Sequence, residues 1–275
     1  MKPYAADCHA HIFDPAYPFS PGSHYIPEHA QRGTAADFAA VLDAHGFSHG
    51  LLVGAAPYAS DNRAMLDGLR SSGGRFKGIA LVRDSGLTPQ KQKEFADAGV
   101  VGIRINLMTY GLEEIKGTEG ERLLAKAREM GWFVQVHLHA GDLVPAAAIF
   151  RKAGVRLVFD HFGRPDVDKG LDQPGFAEML EFGRSGNAVA KLSGPFRASK
   201  TGYPYEDVDR FVAAVIEAFT LDNCVWGSDW PFVRMEQRVD YGPPLTCLPR
   251  WVPSEADRQK VLWENPRRLF GFGPL

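Results

Sequence analysis

The chain has 275 residues, 45% of them hydrophobic and 23% charged, with a formal net charge of -2 at pH 7. With a pI near 6.5 it offers no basic surface for nucleic acid or an anionic membrane. No apolar run is long enough to span a bilayer, no charged-then-apolar leader opens the chain, and the 3 cysteines (Cys8, Cys224, Cys247) form no CxxC pair, which suits a reduced, cytoplasmic setting.

A first strand is expected over residues 4–12, followed by a Pro-rich loop over 14–33 that carries Tyr17, Phe19, His24 and Tyr25. Such a long, aromatic-laden loop suits a segment that covers a site better than a plain connector. Thr34-Ala35-Ala36-Asp37 then opens a helix in capping-box style, with Phe38, Val41 and Leu42 as its apolar stripe and Gly46 as its stop. From there one unit repeats. Short apolar strands are expected over 50–54, 76–82, 100–106, 133–139, 156–161, 188–193 and 224–228. Helices follow over 61–69, from Thr88-Pro89 to Gly99, and over 119–130, 142–153, 176–182 and 206–219, with a closing helix capped by Ser254. Strand–helix alternation argues for a parallel sheet with helical crossovers, and eight strands is the number that closes a barrel. The expected fold is α/β, a (β/α)8 TIM barrel forming one domain over 1–275. An open doubly wound sheet is the alternative, but no Gly-x-Gly-x-x-Gly turn follows the first strand.

In such a barrel the C-terminal strand ends gather at one mouth, where chemistry sits. The first strand offers Asp7-Cys8-His9-Ala10-His11, whose alternation points His9 and His11 one way and the small Cys8 and Ala10 the other. Two buried imidazoles side by side need hydrogen-bond partners or a metal, so a pair of satisfied core histidines is the plain alternative to a site. Arg104 and Asn106 end the fourth strand, His137 and His139 the fifth, Asp160-His161 the sixth, and Ser228-Asp229-Trp230-Pro231 follows the eighth. Five of the nine histidines thus fall at expected strand ends, a concentration that scattered core histidines would not show.

These motifs, in this order, resemble the amidohydrolase superfamily, and within it the 2-pyrone-4,6-dicarboxylate lactonases and related sugar lactonases. Supporting stretches are Gly102-Ile103-Arg104-Ile105-Asn106, Phe159-Asp160-His161-Phe162-Gly163-Arg164-Pro165, Lys191-Leu192-Ser193-Gly194-Pro195-Phe196-Arg197 and Glu264-Asn265-Pro266-Arg267-Arg268-Leu269-Phe270-Gly271. The likeness covers essentially the whole chain, and it implies a hydrolase that opens a small anionic lactone.

Lactone hydrolysis needs an activated water and a group that stabilises the developing oxyanion. Asp229 is the expected general base, with a turn aspartate before Trp-Pro as the plainer reading. His9, His11 and His161 are expected to donate to the oxyanion, and Asp160 either orients His161 or caps the loop. Arg164 and Arg197 are expected to hold substrate carboxylates through guanidinium forks, as the resemblance implies, unless they pair with internal acids such as Asp7, Asp14 or Asp166. Arg104 stands evenly between those two fates. Lys191 fits a barrel-core ion pair, and Tyr25 is a substrate contact or a lid-packing aromatic.

The metal-free dicarboxylate lactonases imply no cofactor, and the absence of a lysine ending the fourth strand argues against a two-metal centre. Without a metal His137 is expected among the substrate contacts; His9, His11, His137 and Asp229 form the alternative, a single divalent site such as zinc, with His137 departing from the metal-free pattern. A metal-dependent decarboxylase of the same superfamily, a sugar-acid or muconolactone lactonase, and a non-catalytic organic-acid binder are the rival functions.

Overall fold

The computed structural model describes residues 4–275. Eight parallel strands alternate with helices: β1 (Ala6–Ala10), β2 (His49–Val53), β3 (Phe76–Ala80), β4 (Val100–Asn106), β5 (Phe133–His137), β6 (Arg156–Phe159), β7 (Ala188–Ser193) and β8 (Cys224–Gly227). They lie in one sheet in sequence order. The last seam closes just beyond β8, where the Asp229 N–H donates to the His9 carbonyl and the His11 N–H to the Trp230 carbonyl, both at 2.8 Å. The molecule is therefore a (β/α)8 barrel, as the strand–helix alternation requires.

Local chemistry sets the helix boundaries. Thr34 and Asp37 form the reciprocal capping box of helix Ala35–His45, and Gly46 ends it in the left-handed region. Thr88 caps helix Pro89–Ala98 with proline in its first turn, and Gly99 closes it the same way. The expected single helix over 206–219 is instead a short 3-10 turn running into Asp209–Phe219.

Side-chain alternation divides the strands between two cores. Inward positions low in the barrel are apolar (Leu51, Val53, Phe133, Val158, Val189, Val225) and are plugged by Leu269, Phe270 and Phe272 from the C-terminal end. Outward positions pack with the helices in a second, larger cluster. Higher on the same inward faces the residues turn polar, with Gln135 and His137 following Phe133, and Lys191 and Ser193 following Val189. This change from apolar to polar marks the floor of the mouth.

One expectation about β1 is corrected. Cys8 does not share a face with Ala10: it packs with Ala6 in the interior cluster, whereas Ala10 packs in the outer one. The cause is a register slip between Asp7 and Ala10, which span three steps where their partners Gly50 and Leu52 span two. This bulge lets His9 face inward beside Cys8, and His11 still falls on the same side.

Candidate active site

Asp7 anchors the seam from beneath. Its fully buried carboxylate accepts from the backbone N–H groups of His9 (3.0 Å) and Ser228 (2.9 Å) and from the Tyr241 hydroxyl (2.9 Å). Burial pushes Asp7 up to about 6 despite these donors. Gly227 permits the close approach, since a Cβ there would lie 2.7 Å from the His9 Cβ. Asp229 is thereby delivered onto the histidine pair.

The Asp229 Oδ1 lies 3.6 Å from His9 Nε2 and 3.7 Å from His11 Nε2, and its Oδ2 lies 3.8 Å from His161 Nε2. The expected base and all three expected imidazoles therefore meet. Backbone strain helps to aim them: His161, Arg164, Asp229 and Arg234 all have positive φ without being glycine.

Burial is the largest cause holding these imidazoles neutral. His11 is pushed down to about 4, with Arg104 adding to the effect. His9, His137 and His161 fall well below their usual value, aided respectively by Lys191, Arg104 and His9. Neutral rings have one N–H each, so their partners decide where it points. His11 Nδ1 donates to the Val53 carbonyl at 2.9 Å, leaving Nε2 as an acceptor 3.3 Å from His9 Nε2. His161 Nδ1 is held by the Ser193 hydroxyl at 2.9 Å.

Beneath His9 lies a buried polar layer. Lys191 Nζ donates to Gln135 Oε1 at 2.6 Å and lies 3.3 Å from His9 Nδ1 and 3.4 Å from Asp160 Oδ1. Asp160 Oδ2 accepts from Arg104 and Gln135, both at 3.2 Å. Burial would raise Asp160, but Lys191 and Arg104 more than offset it and hold the carboxyl well below its usual range. Lys191 is thus the core ion-pair lysine expected, and Arg104 spends one arm on Asp160 although it still lines the cavity.

Above this layer opens a cavity of about 260 Å³ lined by Tyr25, Asn106, His137, Asp229 and four arginines, Arg104, Arg164, Arg197 and Arg234. Arg197 is not free: its Nε donates to Asp229 Oδ2 at 2.7 Å and its Nη1 to the Val233 carbonyl at 2.8 Å. The internal acid it meets is Asp229, none of those considered from the sequence. Among the described residues the Arg164 side chain meets only the Met108 sulfur (3.1 Å) and His137 Nε2 (3.4 Å), and its Nε is buried without a partner there. Arg234 lies over the Tyr25 ring, 5.2 Å from its centroid. It was missed in the sequence, where it follows the strand-eight motif by a few residues in an irregular loop with no periodicity to flag it. Tyr25, pushed up to about 12 chiefly by burial, keeps its proton and can donate into the cavity. His139 lies beyond β5 on the exposed rim, its backbone N–H capped by Asp142.

The nitrogens of His9 and His11 and the carboxylate of Asp229 could hold an ion. Their mutual distances of 3.3, 3.6 and 3.7 Å are close to the roughly 3.3–3.4 Å that separates ligands around a tetrahedral ion with bonds of about 2.0–2.1 Å. His137 does not complete the set expected from the sequence. Its Nδ1 is bonded to Asn106 Oδ1 at 3.1 Å and its Nε2 faces the Arg164 guanidinium.

The description of the amidohydrolase family matches residues 6–272. The chain is 34% identical to the 2-pyrone-4,6-dicarboxylate hydrolase of Comamonas testosteroni, with 97% of this chain and 90% of the relative covered. It is 28% identical to the 4-sulfomuconolactone hydrolase of Hydrogenophaga intermedia, covering 98% and 90% respectively. A crystal structure from Acinetobacter baumannii, a candidate 2-pyrone-4,6-dicarboxylic acid hydrolase with citric acid bound, superposes with a TM-score of 0.88 at 28% identity, covering 99% of this chain and 100% of that one. With nearly its whole length matched, the chain belongs to the amidohydrolase family.

Proposed function

We propose that this chain is a lactone hydrolase that opens a small cyclic ester bearing carboxylates, 2-pyrone-4,6-dicarboxylate or a close analogue, by attack of water on the ring carbonyl. The observation that carries the reading is the meeting of Asp229 with three neutral imidazoles under a rim where Arg164 and Arg234 have no carboxylate partner among the described residues. Two unneutralised guanidinium groups beside a cavity sized for one ring suit a substrate with two anionic groups. The named substrates of the two relatives and the citric acid of the Acinetobacter structure are all acidic, which supports that choice.

In this mechanism Asp229 takes the proton of the attacking water and returns it to the ring oxygen as the tetrahedral adduct collapses and the acyl C–O bond breaks, giving the open-chain acid. Arg197 secures its Oδ2, so Oδ1, the oxygen facing His9 and His11, is the one left to take the proton. His11 cannot stabilise the oxyanion as a neutral ring, because its single N–H is already on Val53. Oxyanion donation falls instead to His161, whose Nε2–H is available when the Ser193 hydroxyl donates to Nδ1, with Tyr25 as a second donor. Arg164 and Arg234 hold the substrate carboxylates, and His137 braces Arg164. A divalent ion, if bound by His9, His11 and Asp229, would supply a lowered water pKa and a polarised carbonyl at the same place. The three cysteines are all buried and free, in keeping with the cytoplasmic setting we assign, and no helix among the described residues is long and apolar enough to cross a membrane.

The test is a turnover panel of carboxylated lactones, their methyl esters and hydroxybenzoates, run before and after dialysis against a strong chelator. Turnover of a free-acid lactone, unchanged by chelation, is expected. Carbon dioxide release from a hydroxybenzoate would replace this reading with the decarboxylase, and activity lost on chelation and restored by zinc would replace the metal-free route.

A further inference from the structure

The pair of groups beneath His9 competes for one nitrogen. Nδ1 lies 3.3 Å from the Lys191 ammonium, with hydrogen-bonding geometry, and 3.2 Å from Asp160 Oδ1. Asp160 Oδ1, although fully buried, makes no well-directed hydrogen bond, so the closer contact is the less well aligned of the two. A neutral imidazole can satisfy only one of them. Accepting from Lys191 leaves the His9 proton on Nε2, and donating to Asp160 leaves Nε2 bare.

The other end of the chain of contacts agrees with the first choice. His11 Nδ1–H is committed to the Val53 carbonyl, so His11 Nε2 must accept, and it stands 3.3 Å from His9 Nε2. Two bare lone pairs at that distance would repel unless an ion lay between them. One N–H between them makes a hydrogen bond. A single direction of donation thus runs from Lys191 through His9 and His11 to Val53, with every proton placed.

We infer that Lys191 is a positioning residue that fixes His9 in its Nε2–H form, and thereby keeps His9 and His11 joined to each other by a hydrogen bond rather than both presenting lone pairs to a metal ion. Lys191 is fully buried in the barrel interior, where Gln135 Oε1 holds it at 2.6 Å and Asp160 supplies its counter-charge. Its side chain reaches His9 from the side opposite the cavity, so it acts through the imidazole and touches no substrate. Asp160 plays the opposing part. With Lys191 gone, Nδ1–H would donate to Asp160 Oδ1 and Nε2 would present a lone pair beside that of His11. That is the carboxylate–histidine–metal arrangement found in metal sites generally. Loss of the nearby positive charge favours a cation in the same direction.

Two measurements test this, and neither uses a substrate, so their outcome is separate from that of the lactone reading. In chelator-treated native protein at pH 7, two-bond proton–nitrogen NMR spectra, assigned by comparison with His9→Gln, should show His9 protonated at Nε2 and His11 at Nδ1. A proton on His9 Nδ1 overturns the inference. By calorimetric zinc titration, Lys191→Met should bind zinc about tenfold or more tighter than native protein, the scale on which such outer partners act on metal affinity. Asp160 keeps Arg104 as its counter-charge in that variant. Unchanged or weaker zinc affinity in folded Lys191→Met also overturns the inference, and if the variant does not fold, the native NMR result decides alone.

Discussion

Two layers of the same barrel mouth handle charge in opposite ways. In the floor, Lys191, Asp160, Arg104 and Gln135 are buried and bonded to one another, each charge facing an opposite one. At the rim, Arg164 and Arg234 border the cavity with no carboxylate partner among the described residues. A buried ion pair whose charges already face one another gains little from a ligand, but it holds neighbouring side chains in one arrangement. An unneutralised guanidinium at a cavity wall gains a charge-assisted, forked hydrogen bond when an anion arrives. The floor therefore orients and the rim binds, and Asp229, tied to both through His9 and Arg197, is where the two meet.

The sharpest way to break this division is at the junction. Asp229→Asn keeps an acceptor for Arg197 but cannot take a proton, so turnover should fall by about 10²–10⁴-fold with the fold intact. Near-native turnover in that variant would remove Asp229 from the chemistry. The rim comes next. Arg164→Met should raise KM for a dicarboxylated lactone by roughly 10–100-fold, the worth of a hydrogen bond to a charged group, and leave its uncharged ester nearly unaffected. Arg234→Met should do the same more weakly, because that side chain is exposed. Arg197→Met should differ from both by lowering kcat as well, since it releases Asp229. Equal effects on charged and uncharged lactones would make the rim arginines structural.

The floor and its seam should answer in stability. Gly227→Ala forces a methyl against His9, a kind of overpacking that costs about 1–3 kcal/mol, and a thermal melt that matches the native protein would show that β1 and β8 can separate freely. The smallest effect is that of mild acid. His11 is about 4 in the fold and near 6.5 when unfolded, so between those values the unfolded chain binds the extra proton and stability falls with pH. From pH 7 to pH 6 His11 alone accounts for roughly 0.7 kcal/mol. His9, His137 and His161 act in the same direction. Asp7, raised to about 6, opposes them, because the native state takes up its proton first. A melting temperature that does not drop between pH 7 and pH 6 would mean that these imidazoles are not held neutral.

Most of the scaffold was legible in the sequence because it follows from short-range rules. Periodicity placed β4 and β7 to the residue, and capping chemistry located Thr34, Thr88 and the glycines that end their helices. The strand count determined the barrel, and the barrel in turn determined that His9, His11, His161 and Asp229 would share one mouth. The structure alone decided what those residues do to one another. The bulge that turns Cys8 inward depends on the seam with β2, the engagement of Arg197 with Asp229 depends on two loops from different strands, and His137 is withheld from the cluster by Asn106 and Arg164. Arg234 enters the cavity from a loop with no repeating pattern, and Gln135 reads from sequence as one more polar residue in an apolar strand. Periodicity reports which face a side chain occupies, whereas a hydrogen-bond partner is set by distances of a few tenths of an ångström between segments far apart in the chain, and those exist only once the barrel has closed.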